Sequence, residues 1–162
     1  MASQSAPKPF PNLRIRPYEP RDFETLYQID EVCYPRGMSY PRPVLRRFLF
    51  AEGARTLVAE SGDDILGFLI VQDHGRARGH VITIDVLAEH RRSGVGTALL
   101  RVGEDWLAQQ GVKTVELETS VQNAPALALF QRFGYQVVRY LPDYYRNHSD
   151  AYLMEKALTP IA

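Results

Sequence analysis

Residues 80–107 read HVITIDVLAEHRRSGVGTALLRVGEDWL, and this stretch decides the fold class. Residues 80–88 form a nearly continuous β-branched run, which favours a strand covered on both faces. The later part repeats apolar residues at helical spacing, and Gly111 follows at the expected C-terminal cap. The repeated residues are Val95, Leu99, Val102 and Trp106. A buried strand, a tight glycine turn and an amphipathic helix therefore follow one another, which is typical of an α/β domain.

The flanking sequence predicts further strands and helices around this unit. Residues 61–64, Ser-Gly-Asp-Asp, indicate a hairpin turn, so the sheet begins antiparallel. Residues 35–43 hold three prolines and one glycine, which predicts a loop of the kind that contacts substrate. The predicted strands are 13–17, 56–60, 65–73, 80–88, 113–119, 136–141 and 151–156, and the predicted helices are 23–34, 44–51, 95–110 and 123–134.

Length, charge and cysteine content limit the class of protein. The chain has 162 residues, which fits a single domain, expected over 13–162 behind a flexible tail at 1–12. Its 19 basic and 19 acidic residues cancel, so no nucleic-acid partner and no acidic membrane surface is expected. The single cysteine, Cys33, cannot form an internal disulfide, and no cysteine–histidine spacing is typical of a zinc site. A cytoplasmic protein without a metal is expected.

The turn between the central strand and its helix has the chemistry of an anion-binding site. The first N–H groups of a helix lack intrahelical partners and carry partial positive charge, so they attract phosphate. Gly94 and Gly96 would let an anion approach without a Cβ in the way, and Arg91 and Arg92 add charge. Rossmann and P-loop patterns both fail, because Leu99 stands where a third glycine belongs and no Gly-Lys-Ser/Thr occurs. A purely structural turn remains the alternative.

What remains is the pattern R-x-x-G-x-G at the start of a helix, which resembles the Q/R-x-x-G-x-G/A motif of the GNAT (GCN5-related) acetyltransferases. Two later stretches, LETSVQNAPALALFQRFGY at 117–135 and YYRNHSDAYLMEKAL at 144–158, resemble the RimI-like ribosomal-protein N-terminal alanine acetyltransferases within that family. Their pattern is LEVRxSNxxAxxLYxxxGF, followed by YY and EDAxxM. The matching residues are Asn123, Ala126, Leu129, Gly134, Tyr144, Tyr145, Asp150, Ala151 and Met154.

The resemblance implies a fold and a co-substrate. The fold would be a mixed α/β domain with a centrally splayed sheet of about six or seven strands, flanked by about four helices. The splayed strands would be 80–88 and 113–119, with the pantetheine arm of acetyl-CoA between them, and no metal would take part. The residues implied in acetyl-CoA binding are Val86, Arg91, Arg92, Ser93, Gly94, Val95, Gly96, Thr97, Asn123 and Phe130.

The resemblance also implies catalytic residues, with one departure. Glu118 matches the glutamate that serves as general base through water, and His80 lies where some family members place a glutamate base. Phe130 stands where the family has a tyrosine that protonates the leaving thiolate, and a phenyl ring cannot donate a proton. Tyr144 and Tyr145 are the alternative donors, while Tyr135 is interpreted as packing. The residues implied in acceptor binding are Tyr144, Tyr145, Tyr34 and Met38.

A structural role, rather than a functional one, is the alternative interpretation of Glu118, Asp85 and Cys33. Glu118 shares one strand face with Thr114 and Glu116, so it can also be part of a solvated face. Asp85 is an acid inside an apolar run, which predicts that it is paired or lies beside the cleft. Cys33 is interpreted as a buried apolar residue, and no acyl-enzyme is expected.

The predicted function is the transfer of an acetyl group from acetyl-CoA to a primary amine in a ternary complex. The RimI-like C-terminal part favours a protein or peptide N-terminal α-amine as acceptor. The unusual loop at 35–43 leaves a small-molecule amine as an alternative. A non-catalytic acyl-CoA-binding sensor is the alternative from another class, motivated by Phe130. A monomer and a homodimer are both compatible with the sequence.

Overall fold

The computed structural model describes residue 10 and residues 12–159. The predicted tail at 1–12 therefore lies almost entirely outside the described residues. Phe10, which is described, packs against the main core, and its ring centroid lies 5.1 Å from that of His90.

The described residues form seven strands and four α-helices, close to the predicted ranges. The strands are β1 (Leu13–Pro17), β2 (Ala54–Ser61), β3 (Asp64–Asp73), β4 (Arg78–Val86), β5 (Thr114–Ser120), β6 (Gln136–Leu141) and β7 (Ala151–Ala157). The helices are α1 (Phe23–Cys33), α2 (Arg42–Leu49), α3 (Val95–Gln109) and α4 (Ala124–Arg132). Helix α2 begins at Arg42, two residues earlier than predicted. Pro43 lies in its first turn, where the backbone N–H has no partner within the helix, so a proline is tolerated there.

All seven strands belong to one mixed sheet with the order β1-β2-β3-β4-β5-β7-β6. Strands β1 to β4 pair antiparallel in chain order, as the hairpin at 61–64 predicts. Strands β4 and β5 are parallel but pair only from Arg78 opposite Thr114 to His80 opposite Glu116. Beyond His80 and Glu116 the two strands diverge, and we call this point the fork. The predicted splayed sheet is confirmed.

Helices cover both faces of the sheet and explain its apolar central strands. Side chains of β3 alternate between two buried clusters, with Leu69 and Val71 against α3 and Phe68 and Ile70 against α1 and α2. The approach of α3 is close, since a Cβ on Gly103 would lie 2.4 Å from Cδ2 of Leu69. This packing fixes α3 against β3. Among the described residues, no helix has the length and apolar character needed to cross a membrane.

Candidate active site

The start of α3 is exposed backbone held in a glycine-dependent shape. Gly94 is the N-cap residue and has a φ of +87°, in the left-handed region that favours glycine. Gly96 faces α4, because a Cβ there would lie 3.3 Å from Cδ2 of Leu129. Arg91 is held beside the turn, since its Nε donates to the carbonyl of Val86 over 3.1 Å. The predicted anion-binding turn therefore opens toward α4 with an arginine at its edge.

A groove of about 1000 Å³ runs from this turn between β4 and α4. Three guanidinium groups line it, from Arg91, Arg92 and Arg132, and its other end is apolar. Its volume lies at the upper end of the range for ligand sites, which suits a long ligand with several phosphates. The remaining lining residues are Cys33, Tyr34, Ile84, Val86, Ala88, Gly94, Gly96, Thr97, Asn123, Ala124, Pro125, Ala126, Ala128 and Leu129.

Most residues predicted to bind acetyl-CoA line this groove, but three are placed otherwise. Val95 is buried in the core with 1% of its surface exposed, so only its backbone N–H can face a ligand. The hydroxyl of Ser93 donates to the carbonyl of His90, so its side chain closes the turn. Phe130 lies under a neighbouring cleft, with 3% exposure and its ring edge-on to that of Tyr135. Asn123 caps α4 by accepting from the N–H of Ala126.

The neighbouring cleft has a volume of about 260 Å³ and lies over the fork. It joins the groove at four shared residues, which are Tyr34, Ile84, Asn123 and Ala126. All four residues predicted to contact the acceptor, Tyr34, Met38, Tyr144 and Tyr145, line this cleft. The loop at 35–43 contributes Met38 and Tyr40 to its wall. Two ligands entering by the two openings would therefore meet beside these four residues.

His80 and Glu118 form a hydrogen-bonded pair on the floor of the cleft. His80 Nε2 lies 2.6 Å from Glu118 Oε2, and about one fifth of each side chain is exposed. Because Glu118 follows Glu116 by two residues on β5, it projects from the same face toward β4. An imidazole hydrogen-bonded to a carboxylate can accept a proton from a substrate, directly or through water. Both predicted base candidates thus belong to one unit rather than being alternatives.

Tyr144 lines the same cleft as this pair and carries a hydroxyl group that could donate a proton. Its ring lies edge-on to that of Tyr145, with centroids 4.9 Å apart, in the segment between β6 and β7. Burial, and secondarily the nearby Glu118 carboxylate, raises the pKa of Tyr144 to about 12. The phenol therefore keeps its proton at neutral pH and can donate it, which Phe130 cannot do.

Asp85 is buried on the other side of β4 and is paired, as the sequence predicts. It accepts from the hydroxyl of Thr83 over 2.6 Å, and its carboxyl group lies within hydrogen-bond reach of that of Asp30. Burial, followed by the charge of Asp30, raises the pKa of Asp85 well above its ordinary value. Asp30 is 0% and Asp85 1% exposed, so neither carboxyl group faces a ligand in the groove, and the pair links α1 to β4.

Sequence reasoning did not find Tyr40, which also lines the cleft. The N–H of Tyr40 donates to Asp30 Oδ2 over 2.6 Å, so the buried carboxyl pair fixes the end of the loop at 35–43. In the sequence, the only feature that marks Tyr40 is its place in the proline-rich loop, directly before Pro41. Cys33 lines the groove but is a poor nucleophile, because burial and then the charge of Asp85 raise the pKa of its thiol to about 12.

Residues 23–135 match the model of the Acetyltransferase (GNAT) family. The splayed sheet, the glycine turn and the joined groove and cleft define an acyltransferase of this fold. The chain belongs to the GNAT acetyltransferase family.

Individual acetyltransferases also resemble this chain in sequence or in structure. An N-alpha-acetyltransferase from Sulfurisphaera tokodaii is 31% identical over 157 residues, covering 90% of this chain and 93% of that protein. Two solved structures share the fold. A ribosomal-protein alanine N-acetyltransferase from Escherichia coli superposes with a TM-score of 0.81 at 23% identity, covering 93% of this chain and 96% of that one. NAA60 from Arabidopsis thaliana in complex with acetyl-CoA gives 0.78 at 20% identity, covering 90% and 98%.

Proposed function

We propose that the protein transfers the acetyl group of acetyl-CoA to the N-terminal α-amine of a protein or peptide, in the cytoplasm. The observation that carries this proposal is the His80–Glu118 pair, which lies in a cleft that opens into a phosphate-compatible groove. The Sulfurisphaera relative, named an N-alpha-acetyltransferase and aligned over nine tenths of this chain, supports the choice of acceptor. The single cysteine supports a reducing compartment.

The groove suits acetyl-CoA for chemical reasons. Backbone N–H groups at the start of α3 would hold the pyrophosphate, with Arg91, Arg92 and Arg132 available to the phosphates. The apolar end beside Ile84 and Val86 would hold the pantetheine arm along β4. This placement would put the thioester beside Ile84, where the groove and the cleft join.

At neutral pH an α-amine is a more easily deprotonated acceptor for this chemistry than a lysine side chain. An α-amine has an ordinary pKa near 8, whereas that of a lysine amine is near 10.4, so the α-amine loses its proton at neutral pH with less free energy. His80, oriented by Glu118, would accept that proton as the amine attacks the thioester carbonyl. Tyr144 would donate a proton to the departing thiolate. The apolar and aromatic wall contributed by Met38, Tyr40 and Phe48 would contact the first side chain of the acceptor.

Two matched peptides test the acceptor. One peptide carries a free N-terminal amine and an acetylated lysine, and the other carries an acetylated N-terminus and a free lysine. Thiol release from acetyl-CoA is measured with each, and tandem mass spectrometry locates the new acetyl group. We expect turnover with the first peptide and little with the second.

Free amino acids, polyamines and aminoglycosides form a further arm of the same assay. Turnover confined to these amines would replace the peptide acceptor with a small molecule. Stoichiometric binding of acetyl-CoA by calorimetry, without thiol release for any acceptor, would instead identify a sensor module. Either result contradicts the proposal.

A further inference from the structure

Three metal-ligating side chains converge at the fork, from residues that are separated in sequence. His74, His80 and Glu116 each place one ligand atom within 4.8 Å of the other two. Only His80 belongs to the catalytic pair proposed above. His74 is an exposed residue in the wall of the cleft and Glu116 is half-buried next to it, and the acetyl-transfer chemistry gives neither of them a task.

The backbone fixes this convergence. His80 and Glu116 are direct partners in the parallel β4–β5 ladder, so their side chains leave the sheet on the same face. Gln72 on β3 lies opposite His80 on its other side, and His74 follows two residues later, just beyond the end of β3. The rings of His74 and His80 are edge-on, with centroids 5.2 Å apart. Three neighbouring strands thus bring the three side chains to one place.

The surrounding charges favour a cation. Glu116, Glu118 and Glu155 lie near the site, and the neighbouring guanidinium is that of Arg78. Arg78 contacts Glu116 at 3.4 Å and Glu155 at 3.3 Å. It can therefore keep Glu155 as a partner when Glu116 turns toward a metal.

We propose that His74, His80 and Glu116 bind a divalent cation of the zinc class. Two imidazoles and one carboxylate, with an open position for water, are a donor set that Zn²⁺ uses in sites with three protein ligands. Zinc–ligand bonds of about 2.0–2.2 Å require ligand atoms roughly 3.4 Å apart, so separations of up to 4.8 Å need to shorten by at most about 1.4 Å. His74 is exposed and can rotate to do so. Mg²⁺, which prefers oxygen ligands, would bind poorly.

Binding at this site would inhibit acetyl transfer reversibly. The ring nitrogen of His80 that does not bond to Glu118 is the one that would accept a proton, and its lone pair is not available for that proton once it binds a metal. This inhibitory effect rests on the proposed function, whereas metal binding itself does not. The two are therefore measured separately.

The binding test uses the full chain without an affinity tag and needs no catalytic activity. Co²⁺ is titrated while its visible absorption is recorded, and Zn²⁺ is then added to displace it. We expect one equivalent of Co²⁺ with the spectrum of a site containing nitrogen ligands, displaced by Zn²⁺ and not by Mg²⁺. H74A and E116Q should each weaken Co²⁺ binding by more than about tenfold, since even an outer-shell partner of a metal is worth that much.

H148A is the matched control, because His148 is also an exposed histidine beside a carboxylate, that of Asp143. It should leave Co²⁺ binding unchanged, and thermal unfolding checks that every variant is folded. Equal Co²⁺ binding by wild type, H74A and E116Q would overturn the site, as would the absence of any Co²⁺ spectrum.

The inhibition test compares wild type with E116Q, using thiol release with the N-terminal peptide. Zn²⁺ should inhibit wild type at the concentration that displaces Co²⁺, and chelation should restore activity. E116Q should keep its basal activity and need more than about tenfold more Zn²⁺ for inhibition. Stoichiometric binding without inhibition would overturn the inhibitory effect and contradict His80 as base. Failure of every peptide as acceptor would contradict the proposed function and leave the Co²⁺ result standing.

Discussion

His80 Nε2 and Glu118 Oε2 lie 2.6 Å apart, and this hydrogen bond spans the fork between β4 and β5. The backbone pairing between the two strands ends at His80 and Glu116. Beyond this point the His80–Glu118 hydrogen bond is a side-chain contact between the diverging strands. The opening of the sheet that admits a ligand therefore also leaves a polar pair exposed to it. The divergence of these two parallel strands therefore explains both the opening in the sheet and the exposure of the candidate catalytic pair.

The first prediction concerns Glu118. E118Q keeps a side chain that can hydrogen-bond to His80 but removes its negative charge and basicity. We expect kcat to fall by about 100-fold, at the lower end of what a general base contributes, because the imidazolium that forms in the transition state loses its partner. The measurement is thiol release with an N-terminal peptide as a function of pH.

E116Q provides the control for Glu118, since it makes the same chemical change two residues away on the same strand face. Its kcat should stay near that of wild type. Equal activity of E118Q and wild type would exclude Glu118 from the base, and H80Q would then be the next variant to measure.

The second prediction concerns the start of α3. Gly94 and Gly111 lie at opposite ends of this helix with φ values of +87° and +89°, and in neither case would a Cβ meet an atom within 4 Å. G94A and G111A therefore impose similar backbone strain, about 1–3 kcal/mol for a residue held in a sparsely populated region. We expect both to lower stability, but only G94A to weaken acetyl-CoA binding, because only the turn at Gly94 is proposed to hold phosphate. Calorimetric titration and urea unfolding separate the two effects.

A steric variant probes the same turn without a strained φ. A valine at position 96 would press against Leu129 and narrow the groove, since a Cβ there already lies 3.3 Å from that side chain. G96V should weaken acetyl-CoA binding at least tenfold, equivalent to about 1.4 kcal/mol. An unchanged affinity in a folded G96V protein would show that the coenzyme does not lie along this turn.

The strand–turn–helix unit could be predicted because its signals are local. Val95 and Leu99 repeat at helical spacing, and Gly94 and Gly111 mark the two ends of the helix, so neighbouring residues alone decide the structure. The placement of His80 and Glu118 in one cleft depended on the resemblance to a known family. Their hydrogen bond could not be read from the pattern, because it joins residues 38 positions apart through strand register.

Side-chain direction was harder to predict than position. Ser93, Val95 and Phe130 were all expected to bind acetyl-CoA, yet Ser93 bonds to the backbone of its own turn and Val95 is buried in the core. A motif fixes where the backbone goes, while tertiary packing decides which way each side chain points. The role of Tyr40 depended on Asp30 and so on an anchor outside any motif.

The third prediction concerns the proton donor. Burial and the charge of Glu118 raise the pKa of Tyr144 to about 12, so its hydroxyl is protonated throughout the neutral range. Y144F removes the donor with little change in volume, and kcat should fall about tenfold or more, with acetyl-CoA affinity unchanged. Y145F, which alters the adjacent ring in the same cleft, should have a smaller effect.

The substitution F130Y should partly restore the kcat that is lost in Y144F. Phe130 lies under the same cleft, so F130Y adds a hydroxyl at the position that the family's tyrosine occupies. In the Y144F background, F130Y should recover part of kcat, whereas in the wild-type background it should add little because Tyr144 already donates. A full effect of F130Y in wild type and none in Y144F would contradict the assignment of Tyr144.

The last prediction concerns the buried carboxyl pair. Burial, followed by the charge of Asp30, raises the pKa of Asp85 well above its ordinary 3.8. Above that ordinary value the folded chain therefore keeps a proton that the unfolded chain releases. Because the folded state binds more protons in that window, the free energy of unfolding falls as the pH rises through it.

An asparagine at position 85 removes this pH dependence while keeping the contacts. Its carbonyl oxygen can accept from Thr83, and its amide can donate to Asp30 without a titrating proton. D85N should therefore show a flatter dependence of unfolding free energy on pH between about 4 and 8, measured by urea denaturation. D85A leaves Asp30 and Thr83 without their partner and should lose about 1–3 kcal/mol at every pH. If D85N follows the wild-type pH curve, the proton is not held by this pair, and the anchor between α1 and β4 has another origin.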